Sequence, residues 1–204
     1  MITELFTKGC DSQNEDCCKV AELDGLTLVI MADGMGGLSL GVEAAECVCE
    51  SIAEYVSRNL DTENLWHEAF KYADGKLREF SVAYHSNMGT AVTALIITDT
   101  TCEVAWQGNV RLYLHRDNQH LQITSDHVMD TGYGQKMLTR CLKGGGLRGD
   151  IPNRCIPLQA DDTLYLCTDG FYNIYEQNLL SGDAISQEEG IMNDDATCLT
   201  IKIK

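Results

Sequence analysis

The chain has 204 residues, 44% hydrophobic and 23% charged, an ordinary globular composition that fits a single domain over 1–204. Acids outnumber bases 31 to 15 for a formal net charge of −16, and no run of even three Lys or Arg residues occurs, which argues against DNA or RNA as a partner. No stretch holds the roughly 18 apolar residues of a membrane span, residues 1–8 lack a secretory pattern, and the ten cysteines include no C-x-x-C pair for a zinc cage.

In chain order, strands are predicted over residues 3–8 and 17–23. Asp24-Gly25 then forms a hairpin turn into residues 26–33, an apolar run suited to a strand buried on both faces. A Gly-rich turn over 34–37 leads to a helix near 39–60, with Val42, Ala45, Cys49, Ile52 and Val56 at helical spacing. A second amphipathic helix spans 64–84, loosened in the middle by Asp74-Gly75. Strands follow over 90–98, 102–107, 110–116 and 119–124. Residues 126–150 read as mixed helix and loop ending in Gly144-Gly145-Gly146, and strands return over 163–168 and 197–203 with one helix and a loop between them. Cys102, Cys141, Cys167 and Cys198 fall at apolar positions and read as small core residues; so many free thiols point to a reducing, cytoplasmic setting. Helices inserted between two sets of strands imply an α+β protein with largely antiparallel sheets, and no strand is followed by a Rossmann or P-loop signature.

The chemistry lies in acids at strand ends that are far apart in sequence. Asn14-Glu15-Asp16 precedes a strand, Asp33-Gly34 ends one, Asp169-Gly170 ends another, and Asp194-Asp195 precedes the last. Asp-Gly is a common turn dipeptide, and Asp24 and Asp74 are assigned to turns. Asp33 and Asp169 differ, because each closes a strongly apolar run. Carboxylates brought together beside a core need cations, and hard oxygen ligands suit Mg²⁺ or Mn²⁺.

The motif order resembles the metal-dependent protein phosphatases of the PPM family, the protein phosphatase 2C type, in its bacterial branch. The resemblance rests on Asn14-Glu15-Asp16, on Ala32-Asp33-Gly34-Met35-Gly36-Gly37, and on Met88-Gly89-Thr90-Ala91. It continues through Gly108-Asn109-Val110-Arg111, Thr124-Ser125-Asp126-His127, Leu138-Thr139-Arg140-Cys141-Leu142, Thr168-Asp169-Gly170 and Asp194-Asp195-Ala196-Thr197. It implies a four-layer α-β-β-α sandwich with two central, mainly antiparallel sheets, acting as a protein serine/threonine phosphatase on phosphorylated proteins. A Ser/Thr kinase or its targets would be the partner. Two Mn²⁺ or Mg²⁺ ions would activate a bridging water, with Asp33 touching both, the Gly34 carbonyl on one, and Asp169 and Asp194 on the other. Glu15 and Asp16 would hold metal-bound waters or touch a metal directly, with Asp195 beside them.

Three departures from the family pattern stand out. Asp11 occupies the position of an arginine that contacts substrate phosphate, leaving Lys8 and Arg111 as the candidate cations. Asn109 replaces an aspartate that helps bind a third ion, so a third site would be poor. Asp194 follows Asp169 by only 25 residues, which implies a shortened helix. The alternative these departures raise is a catalytically weakened regulatory or binding protein with the same fold.

Overall fold

A computed structural model of the chain describes residues 2–10, 13–35, 40–132, 136–181 and 193–204. The chain opens with β1 (Ile2–Lys8), β2 (Asp16–Leu23) and β3 (Leu26–Gly34). The β2–β3 turn carries Asp24 at φ 34° and Gly25 at φ 87°, the left-handed pair that matches the twist of a tight hairpin. Next come α1 (Gly41–Arg58) and α2 (Leu65–Tyr84), then β4 (Thr90–Ile97), β5 (Thr101–Gln107), β6 (Arg111–Arg116) and β7 (Gln119–Gln122). The C-terminal part holds β8 (Val128–Asp130), β9 (Lys136–Leu138), β10 (Asn153–Pro157), β11 (Thr163–Cys167), α3 (Asp169–Ser181) and β12 (Ala196–Lys202).

Two five-stranded antiparallel sheets, ordered β1-β12-β11-β6-β7 and β10-β5-β4-β3-β2, form the centre, with β8-β9 as a separate hairpin. Three apolar clusters stack in series and define the layers. Val48, Ile52, Phe70 and Leu77 of α1 and α2 pack on Leu28, Ile30 and Ala32. Val29, Met31, Leu95, Leu112, Leu166 and Leu199 fill the space between the sheets. Phe171, Tyr175 and Leu179 of α3 close the far side over Cys167 and Cys198. Alternate residues of β3 thus face a helix layer and a sheet layer, which is why its sequence runs apolar without a break. Buried apolar area of this kind is the main source of stability.

The four-layer α+β sandwich is as expected, and so are both long helices. Three local readings are corrected. Residues 126–150 contain no helix among the described residues. They form the β8–β9 hairpin and an extended stretch whose Leu142 bridges Thr90, because Gly132 and Gly144–146 interrupt any helical stripe. Asp74 is not a turn residue, and α2 runs straight through it. Its buried carboxylate accepts backbone N–H bonds from Lys143 (3.1 Å), Gly144 (2.8 Å) and Gly146 (2.7 Å), which offsets the cost of placing Asp-Gly inside a helix. Cys141 is half-buried, unlike the buried Cys102, Cys167 and Cys198. Strand β10 has no counterpart in the predicted elements: it is a mostly exposed edge strand, without apolar alternation, ending in Pro157. Among the described residues no helix is long and apolar enough to cross a membrane.

Candidate active site

Strand pairing brings the distant acids to one end of the sandwich. Asp16 and Asp33 face each other in the β2–β3 register. Asp169 begins α3 directly after β11, and Asp194 stands two residues before β12, the neighbour of β11 in the sheet. The Thr168 hydroxyl, at the end of β11, donates to Asp16 Oδ2 at 2.9 Å and so ties one sheet to the other. Asp33 interacts electrostatically with Asp16, Asp169 and Asp194 together.

Such proximity is costly for ionised groups. Burial first, and then the Asp16, Asp169 and Asp194 carboxylates, hold the Asp33 carboxyl well above the usual range. Burial pushes Asp16 up to about 7, against the pull of hydrogen bonds from Thr197 and Thr168. Asp194 is raised as well, by burial and by Asp169. A cluster with this many raised carboxyls either takes up protons or recruits cations.

The remaining acids frame the cluster. Asp195 is buried and accepts the backbone N–H of Cys10 (2.8 Å) and of Glu15 (2.7 Å), pinning the chain just after β1 and just before β2. The Glu15 carbonyl accepts the Gly34 N–H at 3.1 Å, and the Glu15 carboxylate packs on Gly41 at the start of α1, where the helix dipole favours an anion. Two glycines are required by close approach. A Cβ on Gly34 would stand 2.3 Å from the Gly41 carbonyl oxygen, and one on Gly170 would stand 2.1 Å from that of Asp195. Thr90 adds a support, its hydroxyl donating to the Asp33 carbonyl at 2.8 Å.

The other candidates are placed differently. Lys8 ends β1 opposite Ala196, at the same end of the sandwich as Asp194. Arg111 is committed within the fold. Its guanidinium grips Asp126 in a two-pronged bond (Nη2 to Oδ2 2.7 Å, Nε to Oδ1 3.0 Å), donates to Glu176 at 2.8 Å and to the Tyr113 hydroxyl at 3.0 Å, and stacks 3.7 Å from the Tyr172 ring centre. That occupation leaves it poorly suited to clamp a substrate. Asn109 belongs to the cluster: its Nδ2 donates to Asp169 Oδ2 at 2.9 Å, so it orients that carboxylate instead of adding charge. Asp11, Gly36 and Gly37 lie outside the described residues. The tie through Thr168 and the Asp74 cradle escaped sequence reasoning. The adjacency of Thr168 to Asp169 was the available signal for the first.

A family model described as protein phosphatase 2C matches residues 9–194. The chain belongs to the protein phosphatase 2C family. Among its relatives, the serine/threonine phosphatase stp of Listeria welshimeri is 28% identical over 193 residues, covering 79% of this chain and 73% of that protein. The crystal structure of the serine/threonine phosphatase Stp1 from Staphylococcus aureus superposes with a TM-score of 0.82 at 20% identity, over 99% of this chain and 94% of that one. The catalytic domain of the serine/threonine protein phosphatase PstP, solved in complex with two manganese ions, gives a TM-score of 0.76 at 19% identity, over 98% and 96% of the two chains.

A protein phosphatase 2C fold implies divalent metal, and the residues here fit one. Asp16 Oδ1 and Asn109 Oδ1 are buried without a hydrogen-bond partner, so acceptor oxygens remain for a cation to satisfy. Among the described residues no three His, Cys, Asp or Glu side chains form a ready-made cage. Hard ions held by one or two carboxylates, with water completing the shell, do not need one.

Proposed function

We propose that the chain is a metal-dependent protein serine/threonine phosphatase, with 1–204 acting as one domain of that type. The observation that carries this reading is the meeting of Asp16, Asp33, Asp169 and Asp194, with raised carboxyl pKa values and an unpartnered Asp16 oxygen. Mn²⁺ or Mg²⁺ would be held by Asp33, the Gly34 carbonyl, Asp169 and Asp194, with Glu15 and Asp16 on bound waters or on a metal directly. When bound, such a pair of ions supplies an activated water at neutral pH and balances charge on phosphoryl oxygens.

The chain's own residues prepare this chemistry. Asn109 fixes one oxygen of Asp169, Thr168 fixes one of Asp16, and Asp195 holds the Glu15 backbone so that its acidic neighbours keep their places. Sheet register, not loop flexibility, sets the Asp16–Asp33 pair, which keeps the cluster preorganised. No thiol is needed as a nucleophile, and Cys102, Cys167 and Cys198 are buried in the core. A high cysteine count without a C-x-x-C pair supports a reducing, cytoplasmic location. Phosphorylated proteins are the substrate class, which makes a Ser/Thr kinase or its targets the partner.

Hydrolysis of a phosphothreonine peptide is the test. Phosphate release should depend on Mn²⁺ or Mg²⁺ and cease with a chelator; a purified protein that releases none across a wide range of both metals would overturn the reading.

A further inference from the structure

Next to the carboxylate cluster lies a cleft of about 650 Å³ whose walls include Asp169, Asn109, Met35, Lys136 and Lys143. A substrate phosphate entering among these acids needs a cation of the protein's own to orient it. In a chain with about two acids per base, four of the eight lysines are already taken: Lys19, Lys71, Lys76 and Lys202 each sit within ion-pair distance of a glutamate. Of the rest, Lys136 and Lys143 are the two on this cleft, and among the described residues neither makes an ion pair, though Lys136 stands opposite Asp130 in the β8–β9 register. The one other acid on the cleft wall, Asp126, is held by the Arg111 fork and offers them little competition.

Lys143 is also the better positioned of the two. Its stem lies against Gly89, where an added Cβ would stand 3.0 Å from Lys143 Cγ and 3.2 Å from Met35 Sδ. Gly89 in turn accepts the Met35 N–H, so Lys143 is packed beside the chain leaving Asp33-Gly34. Its backbone is fixed from behind by Asp74, which gathers the N–H groups of Lys143, Gly144 and Gly146 into an anion-binding concavity. Gly144, at φ 70°, lies so close to α2 that a Cβ would come within 2.7 Å of Arg78 Cα. Gly144 and Gly146 therefore serve to wrap this loop around a helical carboxylate and hold Lys143 at the cleft.

We infer that Lys143 is the residue that contacts the substrate's phosphate, with Lys136 of β9 as a weaker second cation and Asp74 as the positioning residue that sets Lys143. The inference rests on the phosphatase reading and deepens it, since it names how a phosphomonoester is oriented. It also accounts for the commitment of Arg111 elsewhere.

The test compares wild type with Lys143→Ala, Lys143→Arg, Asp74→Asn and the control Lys71→Ala, all loaded with Mn²⁺. Loss of a charge-assisted contact should raise KM for a phosphothreonine peptide, and the inhibition constant of inorganic phosphate, about tenfold in Lys143→Ala. The same variant should keep kcat within about threefold and keep the Mn²⁺-induced rise in Tm. Lys143→Arg should recover most of the loss, Asp74→Asn should raise KM in the same direction, and Lys71→Ala should match wild type. If KM and phosphate inhibition in Lys143→Ala equal those of wild type, the inference is wrong, whatever Asp74→Asn does to folding. Absence of turnover in wild type would instead overturn the phosphatase reading. Calorimetric binding of inorganic phosphate to the Mn²⁺-loaded protein then decides for or against Lys143 on its own.

Discussion

Asp33→Asn should abolish metal-dependent hydrolysis and, in the same protein, raise the melting temperature measured without metal. The two effects have one cause. Asp33 is the carboxylate that feels Asp16, Asp169 and Asp194 at once, and burial already disfavours its charge. Asparagine keeps the shape, removes the charge and can donate a hydrogen bond to Asp169. Without metal this relieves repulsion, and each kcal/mol gained should appear as about 2–4 °C in Tm for a chain of this size. With metal the loss dominates. Forfeiting several kcal/mol of charge stabilisation lowers the rate by about three orders of magnitude, at tenfold per 1.4 kcal/mol. The measurement is a pair of melting curves and a rate for each protein. A variant that is less stable without metal yet fully active would contradict the account.

Stability should also depend on pH in opposite senses with and without metal. In the metal-free protein Asp16 titrates at about 7, and Asp33 and Asp194 are raised too, whereas an unfolded aspartate titrates near about 3.9. Between those values the folded state holds protons that the unfolded chain has released. The cluster's contribution is therefore most favourable below about 4 and is lost as pH rises towards 7, by up to about 1.4 kcal/mol per pH unit for each group. Metal-free Tm should thus be higher at pH 5.5 than at pH 7.5. Mn²⁺ competes with those protons, so the rise in Tm that it induces should be largest at pH 7.5 and shrink at pH 5.5. A metal-induced rise that grows on acidification would contradict this.

The acids of the site were legible because each terminates or precedes an apolar strand, and sheet register does the rest. Asp33 closes a run buried on both faces, and antiparallel pairing with β2 puts Asp16 opposite it. Asp74 was misread for the converse reason. Its dipeptide is that of a turn, but its partners lie about 70 residues downstream, in glycines that by themselves suggest only a loop. Arg111 could be seen as an arginine of a motif. That Asp126, Glu176 and Tyr113 consume its donors depends on how α3 packs over β6, which no local pattern encodes. Segment 126–150 failed because short polar hairpins carry little periodicity, and edge strand β10 because it buries almost nothing.

The proposed function depends on Asp33, Asp169 and Asp194 sharing bound cations. Crystals grown with Mn²⁺ and measured for anomalous scattering test that most directly. Two peaks should appear at the end of the sandwich, both in contact with Asp33 and one of them also with Asp169 and Asp194. Manganese bound elsewhere on the surface, with Asp33 touching none of it, would contradict the account.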